Sequence, residues 1–360
     1  MRRHIANALY MFVLFSVCFF FFALRANTEE KTEWSNVLKV VLPPRKPEEL
    51  RHGEVRLWIP QGSARLRGII LAGNISLEGK LVRDEKIRSV ASELDLAIVQ
   101  MAPSVGLFDR KEQVEKLREI LVQLAAQSGH SELPQLPFIA IGHSTGGIYA
   151  RNIGYWFPDR TIAIIHLKSG NLHHSIPDPQ MSLKGIPFLA INGEFEEFGP
   201  EGGGRRGIRE KYGLQTQWIM IRKQLLWLRR KDPQHLVSLI VEPKGTHTSW
   251  NENLTDYCVM FLRKAVAARI PKDMPSSTGL VCRAIRAEEG WLSDANIKAP
   301  RHKPAPYKEY NGDKINAFWH LDGELAEAAF RIHQQLSHPD PSLDESWWEP
   351  PAELIPKYSW

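Results

Sequence analysis

Cysteine is scarce in this chain, three in 360 residues. No Cys/His spacing suggests a zinc site, and the pair His173-His174 reads as loop residues rather than metal ligands. No Gly-Lys-Ser/Thr sequence follows a strand. The glycine-rich run from Gly199 to Gly207 therefore reads as a loop near the rim of a site, not as a phosphate cradle. Dense Lys/Arg runs interleaved with aromatics are also missing. The net charge is only +5, and the 24% of charged residues mix both signs. A nucleic-acid partner is not indicated. There is no internal repeat, which argues against a solenoid or an array.

Hydrophobic residues make up 43% of the chain, enough for one large core, as a single domain or as a domain with an extension. The N-terminus differs from the rest. Arg2-Arg3 precede an apolar run from Ile5 to Leu24 that includes Phe19-Phe-Phe-Phe22. Residues 1–26 thus form a cleaved signal peptide or an uncleaved membrane anchor through residues 5–24. Leu24 and Arg25 make cleavage after Ala26 a poor site, and Phe15-Ser-Val-Cys18 is a poor lipoprotein signal. Either reading places the body outside the cytoplasm, secreted or periplasmic. In an oxidising compartment Cys258 and Cys282 could pair.

Strands and helices alternate through the body. Strands are expected over Glu54–Ile59, the first of the set, then Arg67–Ala72, Leu96–Met101, Phe138–Ile141, Thr161–Leu167, Pro187–Asn192 and His235–Glu242. Helices are expected over Lys80–Leu94, Arg110–Gln127, Ile148–Trp156, Thr216–Arg230 and Thr255–Arg269. In the second helix Val114, Leu117, Ile120, Leu121 and Leu124 share one face. The fold class is α/β, a mostly parallel sheet with helices on both faces. After about Ile270 the alternation stops. Residues 27–270 form the main domain, and residues 271–360 an irregular extension packed on it, with one helix over Asp322–Leu336. Lys303–Tyr310 and Pro339–Pro351 are Pro-rich. Trp291, Trp319, Trp347, Trp348 and Trp360 anchor the extension to the core; the alternative is that some line a sugar-binding surface.

The most specific feature is Phe138-Ile-Ala-Ile-Gly-His-Ser-Thr-Gly-Gly147. A buried strand ends at Gly142, the chain turns sharply through Ser144, and a helix begins at Gly146. This is the Gly-x-Ser-x-Gly nucleophile elbow. A serine hydroxyl is a weak nucleophile, so it must be held exposed beside a base. The glycines are expected because side chains at 142 and 146 would collide with the neighbouring strand and helix. The helix N-terminus faces the place where negative charge develops.

The base is assigned to His247, in the loop between the last strand and the closing helix. The carboxylate that fixes its tautomer comes from Gly193-Glu-Phe-Glu-Glu197. Glu196, three residues beyond the strand-ending Gly193, is the first choice, with Glu194 and Glu197 as alternatives. The oxyanion donors are the N–H of Thr145 and an N–H of the loop after Ala72, assigned to Asn74. His143 reads as structural and partly buried, not as the base.

With these residues in place, the chain over about Glu54–Ile270 resembles the α/β-hydrolase fold superfamily. The order Ser144, Glu196, His247 matches that family's Ser…Asp/Glu…His. Within it the chain looks most like secreted esterases of the feruloyl-esterase and polyester-depolymerase kind. It departs from many lipases in reading Ala72-Gly73-Asn74 instead of His-Gly-Gly. The short segment between Leu167 and Pro187 leaves little room for a cap domain. The resemblance implies a secreted serine hydrolase, a carboxylic ester hydrolase with a Ser-His-Glu triad, acting on a small or polysaccharide-linked ester without metal or cofactor. A serine peptidase, a thioesterase, and a non-catalytic glycan- or protein-binding module remain alternatives.

Overall fold

The computed structural model describes residues 33–337, apart from 45, 47–48, 171, 173–175, 179, 197–216 and 272–280. The N-terminal signal or anchor, Glu197, His173-His174, the run 199–207, Trp347, Trp348, Trp360 and Pro339–Pro351 lie outside the described residues.

An eight-stranded sheet forms the frame. Its strands are β1 (Asn36–Leu42), β2 (Arg51–Trp58), β3 (Gly68–Ala72), β4 (Leu96–Ala102), β5 (Phe138–His143), β6 (Thr161–Leu167), β7 (Pro187–Gly193) and β8 (Leu236–Glu242). The spatial order is β1-β2-β4-β3-β5-β6-β7-β8. β2 is antiparallel to both neighbours, β1 and β4, and all other pairs are parallel. This order, with its single reversed strand, is that of the α/β-hydrolase fold.

Every residue of β3, β5, β6, β7 and β8 is buried. Strands without a wet face need helices on both sides. On one side pack α3 (Lys111–Ser128), α4 (Gly146–Trp156) and α5 (Gln217–Lys231), through Leu117, Leu124, Ile153 and Leu225. Against the other side lie α1 (Leu77–Leu81), α2 (Glu85–Glu93), α6 (Glu252–Arg269) and α7 (Gly323–His333), through Leu81, Ile87, Leu262 and Leu325.

Two expectations change. The strand placed first, near Glu54, is the second. β1 precedes it and pairs from Asn36↔Leu57 to Leu42↔Arg51. The helix expected over Lys80–Leu94 is two, because the Asp84 side chain accepts from the N–H groups of Lys86 (2.9 Å) and Ile87 (3.4 Å) and starts a new helix there.

The extension contains a small antiparallel sheet in the order β10-β9-β11, built from β9 (Trp291–Asp294), β10 (Ala305–Pro306) and β11 (Ala317–His320). Leu292 and Trp319 bury against Leu236, Phe318 and Leu336 enter one main core, and Leu325 and Ala329 enter the other. Trp319 is buried, with its indole N–H donating to Ala287 O (2.9 Å), and Trp291 is half-buried. The extension covers the outer edge of β8. The Ser238 hydroxyl donates to Trp319 O, and the Val241 N–H donates to His333 Nε2 (3.1 Å). An edge strand left bare would offer its amides to other chains.

Cys258 and Cys282 are free, buried thiols, so the pairing allowed by the sequence is not present. Cys258 lies within the α6 core face. The Cys282 N–H is held by Asp159 O (2.6 Å), and burial pushes its thiol up to about 11. Among the described residues no helix is long and apolar enough to cross a membrane.

Candidate active site

At the end of β5 the chain reverses through Ser144, whose φ of +54° lies in the left-handed region. Its N–H donates to Leu167 O (3.0 Å) at the end of β6. That conformation is strained for serine and is held by its surroundings. A Cβ at Gly142 would sit 1.9 Å from Gly146 O, and one at Gly147 would sit 2.1 Å from Ser169 Oγ. Neither position admits a side chain. Position 146 is milder than expected: a Cβ there would lie 3.2 Å from Glu78 Oε1 and from Ile75 Cδ1. The tight approach of helix to strand is made at 142 and 147.

Three of the sequence-assigned residues converge. Ser144 Oγ lies 3.0 Å from His247 Nε2, and His247 Nδ1 lies 2.9 Å from Glu196 Oε1. Glu196 is fully buried. Its second oxygen accepts from Asn192 Nδ2 and from the Gly193 N–H, both at 2.9 Å. Both oxygens are therefore engaged, as a buried carboxylate requires. Nδ1 facing a carboxylate carries the proton, which leaves Nε2 free to accept one from Ser144. The imidazole of His247 is about one-quarter exposed, at 27%.

Glu194 is also fully buried but is turned elsewhere. Its oxygens accept from the Lys244 N–H (2.8 Å) and from Ser337. His143, 2% exposed, is more enclosed than the sequence suggested. Its Nε2 lies 3.0 Å from the main-chain oxygen of His247, so it does not face the serine.

The loop after β3 supplies amides in an informative pattern. The N–H groups of Ile75 (3.1 Å) and Ser76 (3.4 Å) donate to Glu78. The N–H of Asn74, like that of Thr145, has no partner among the described residues. The Asn74 side chain is fixed separately, its Oδ1 accepting from Gln100 Nε2 (3.2 Å). Two amides flanking the elbow are thus left available for an oxyanion.

Several supporting residues gave no sequence signal. Glu78 is fully buried between the loop after β3 and the start of α4, and burial raises its pKa against the amides that lower it. Lys168, also fully buried with φ +48°, pairs with Glu242 at the end of β8. Glu242 also accepts from Ser249 Oγ (2.9 Å) and Asn251 Nδ2 (3.0 Å), and Ser249 Oγ accepts from the Thr246 N–H (2.7 Å). This network holds the loop carrying His247. Lys168 follows β6, whereas Glu242, Ser249 and Asn251 lie at the end of β8 and in the loop beyond, so tertiary structure brings Lys168 to the other three. Among the described residues no group of three His, Cys, Asp or Glu could hold a metal ion.

No protein-family model matches the chain, and no curated protein matches it in sequence. Solved structures do. One is a lidless α/β serine hydrolase from Xanthomonas campestris, 15% identical, covering 65% of this chain and 94% of its own, with a TM-score of 0.34. A second is a poly(3-hydroxybutyrate) depolymerase from Bordetella parapertussis, 12% identical, covering 68% and 94%, with a TM-score of 0.41. A third is a fluorophosphonate-binding serine hydrolase from Staphylococcus aureus, 13% identical, covering 63% and 98%, with a TM-score of 0.39. The fold itself is read from the strand order.

Proposed function

We propose that the protein is a serine hydrolase that cleaves carboxylic esters through an acyl-enzyme. The observation that carries this reading is the unbroken chain Ser144 Oγ–His247–Glu196, with contacts of 3.0 and 2.9 Å. Ser144 attacks the ester carbonyl while His247 Nε2 takes its proton. The N–H groups of Thr145 and Asn74 hold the oxyanion. Glu196 fixes the tautomer and stabilises the imidazolium. His247 then protonates the departing alcohol, and water, deprotonated by the same nitrogen, releases the acid.

The apolar N-terminal segment supports an extracytoplasmic site of action, secreted or anchored through residues 5–24. An ester carried on polysaccharide is a substrate class that suits that location. The test uses protein lacking residues 1–26, with Ser144→Ala and His247→Ala controls. Labelling by a fluorophosphonate probe and turnover of p-nitrophenyl acetate through octanoate are expected, and both are expected to vanish in the controls. A folded protein that neither labels nor turns over any of these esters would sink the reading in favour of a binding module.

A further inference from the structure

The far end of the chain reaches the acid turn. Leu336 is 5% exposed within the main core, and the next residue meets Glu194. The Ser337 N–H donates to Glu194 Oε1 at 2.6 Å and its hydroxyl to the same oxygen at 2.7 Å. Glu194 Oε2 accepts from the Lys244 N–H at 2.8 Å. The main chain joins the same segments, with the Glu194 N–H on Glu242 O (3.0 Å) and the Phe195 N–H on Gly245 O (2.8 Å). One buried carboxylate therefore touches three segments. They are the turn that carries Glu196, the loop that carries His247, and the end of the extension.

We propose that Glu194 is a positioning residue, and that through it Ser337 of the C-terminal extension sets the geometry of the Glu196–His247 pair; this rests on the triad reading above. Glu196 and His247 stand on separate turns beyond β7 and β8. Their contact survives only if the two turns keep a fixed separation. Here one buried carboxyl group ties both turns, accepting from the Lys244 N–H on the His247 loop while standing on the turn of Glu196. Ser337→Ala leaves Oε1 the main-chain N–H but removes the hydroxyl donor inside a buried site. Losing a donor to a buried acceptor is costly, so the turn shifts. The extension then acts as a brace for the catalytic pair.

The experiment compares the protein lacking residues 1–26 with its Ser337→Ala, Ser337→Thr and Glu194→Gln variants. Two readouts are taken: kcat and KM on p-nitrophenyl acetate, and the low-field proton NMR resonance of the hydrogen between His247 Nδ1 and Glu196. Ser337→Ala is expected to lower kcat several-fold, and Glu194→Gln by about 10- to 100-fold, the scale of a small displacement at the reacting centre. KM should hold, the resonance should shift or broaden, and Ser337→Thr, which keeps both donors, should restore both readouts. Ser337→Ala with wild-type kcat and an unmoved resonance overturns the proposal, whether or not Glu194→Gln folds. If the wild-type protein turns over no ester, the proposed function fails, while the resonance still decides the positioning role.

Discussion

His143, the neighbour of Ser144, holds the main chain of His247. Its Nε2 lies 3.0 Å from the carbonyl oxygen of His247, 104 residues later, and the two rings stand 4.9 Å apart. A nitrogen facing a carbonyl carries the proton, and burial keeps the His143 ring neutral by lowering its pKa. The elbow and the His247 loop are thus joined directly, independently of the Ser144–His247 contact. His143→Ala should lower kcat by roughly 10-fold with little change in KM, because the loss is one of alignment. His143→Gln retains a donor and should recover part of it. Steady-state kinetics of the two variants decide this; an unchanged kcat in His143→Ala would show that the loop is held by other contacts.

Gly142 tests the elbow. A Cβ there would lie 1.9 Å from a backbone oxygen, which no side-chain rotation relieves. Gly142→Ala is expected to prevent folding of the elbow, seen as loss of soluble protein or of the cooperative thermal transition. Gly146→Ala, whose nearest contacts are 3.2 Å away and are side-chain atoms, should fold with a lower melting temperature. Equal behaviour of the two variants would contradict the packing described.

The Lys168–Glu242 pair makes a prediction about stability. Both residues are buried, so removing one leaves a charge without its partner. Lys168→Met should destabilise by about 3–5 kcal/mol in urea unfolding. Lys168→Met combined with Glu242→Gln should regain part of that, since the unpaired charge is gone. Activity should not return with it, because Ser249 and Asn251 also bond Glu242 and support the His247 loop.

Acid should weaken the fold before carboxylates are protonated. His166, His320 and His333 are fully buried, and desolvation lowers each to about 3. The unfolded chain binds those protons near pH 6.5, so stability falls as pH drops from about 6.5 towards 3. Each histidine contributes a slope of up to about 1.4 kcal/mol per pH unit in that window. His333 Nε2 must stay unprotonated to accept from the Val241 N–H. His333→Gln keeps an acceptor without titrating, so its melting temperature should fall less steeply with pH. Parallel slopes for the variant and the wild type would count against a neutral His333.

Much of this was legible in the residues, for identifiable reasons. The runs Phe138–Ile141, Thr161–Leu167 and Leu236–Val241 are buried on both faces and mostly apolar, interrupted only by Thr161, His166 and Ser238, which signals a strand without reference to partners. β1 was missed because its residues alternate between buried and outward-facing, with Val37 46% and Val41 52% exposed. β9 to β11 are at most four residues long, too short for a periodic signal. At the site, the placement of Ser144 and His247 followed from where a serine and a histidine stand relative to strands. Spacing from Gly193 put Glu196 first but left Glu194 and Glu197 as alternatives. Glu194 and Glu196 differ by what lies opposite each, Ser337 and Lys244 for one and His247 for the other. That information resides in segments distant along the chain.

The covering of β8 by the extension also has a consequence for the order of synthesis. Ribosomes deliver a chain from its N-terminus, and domains begin to fold as they emerge. Ser144, Glu196 and His247 all leave the ribosome while Trp319, His333 and Ser337 are still to come. For that interval β8 presents an unsealed border, and Ser144, Glu196 and His247 exist without the contacts that close over that strand. Translation halted in the extension would release a polypeptide that holds Ser144, Glu196 and His247 beside an open sheet edge, a species suited to capture by a chaperone or by a second nascent copy.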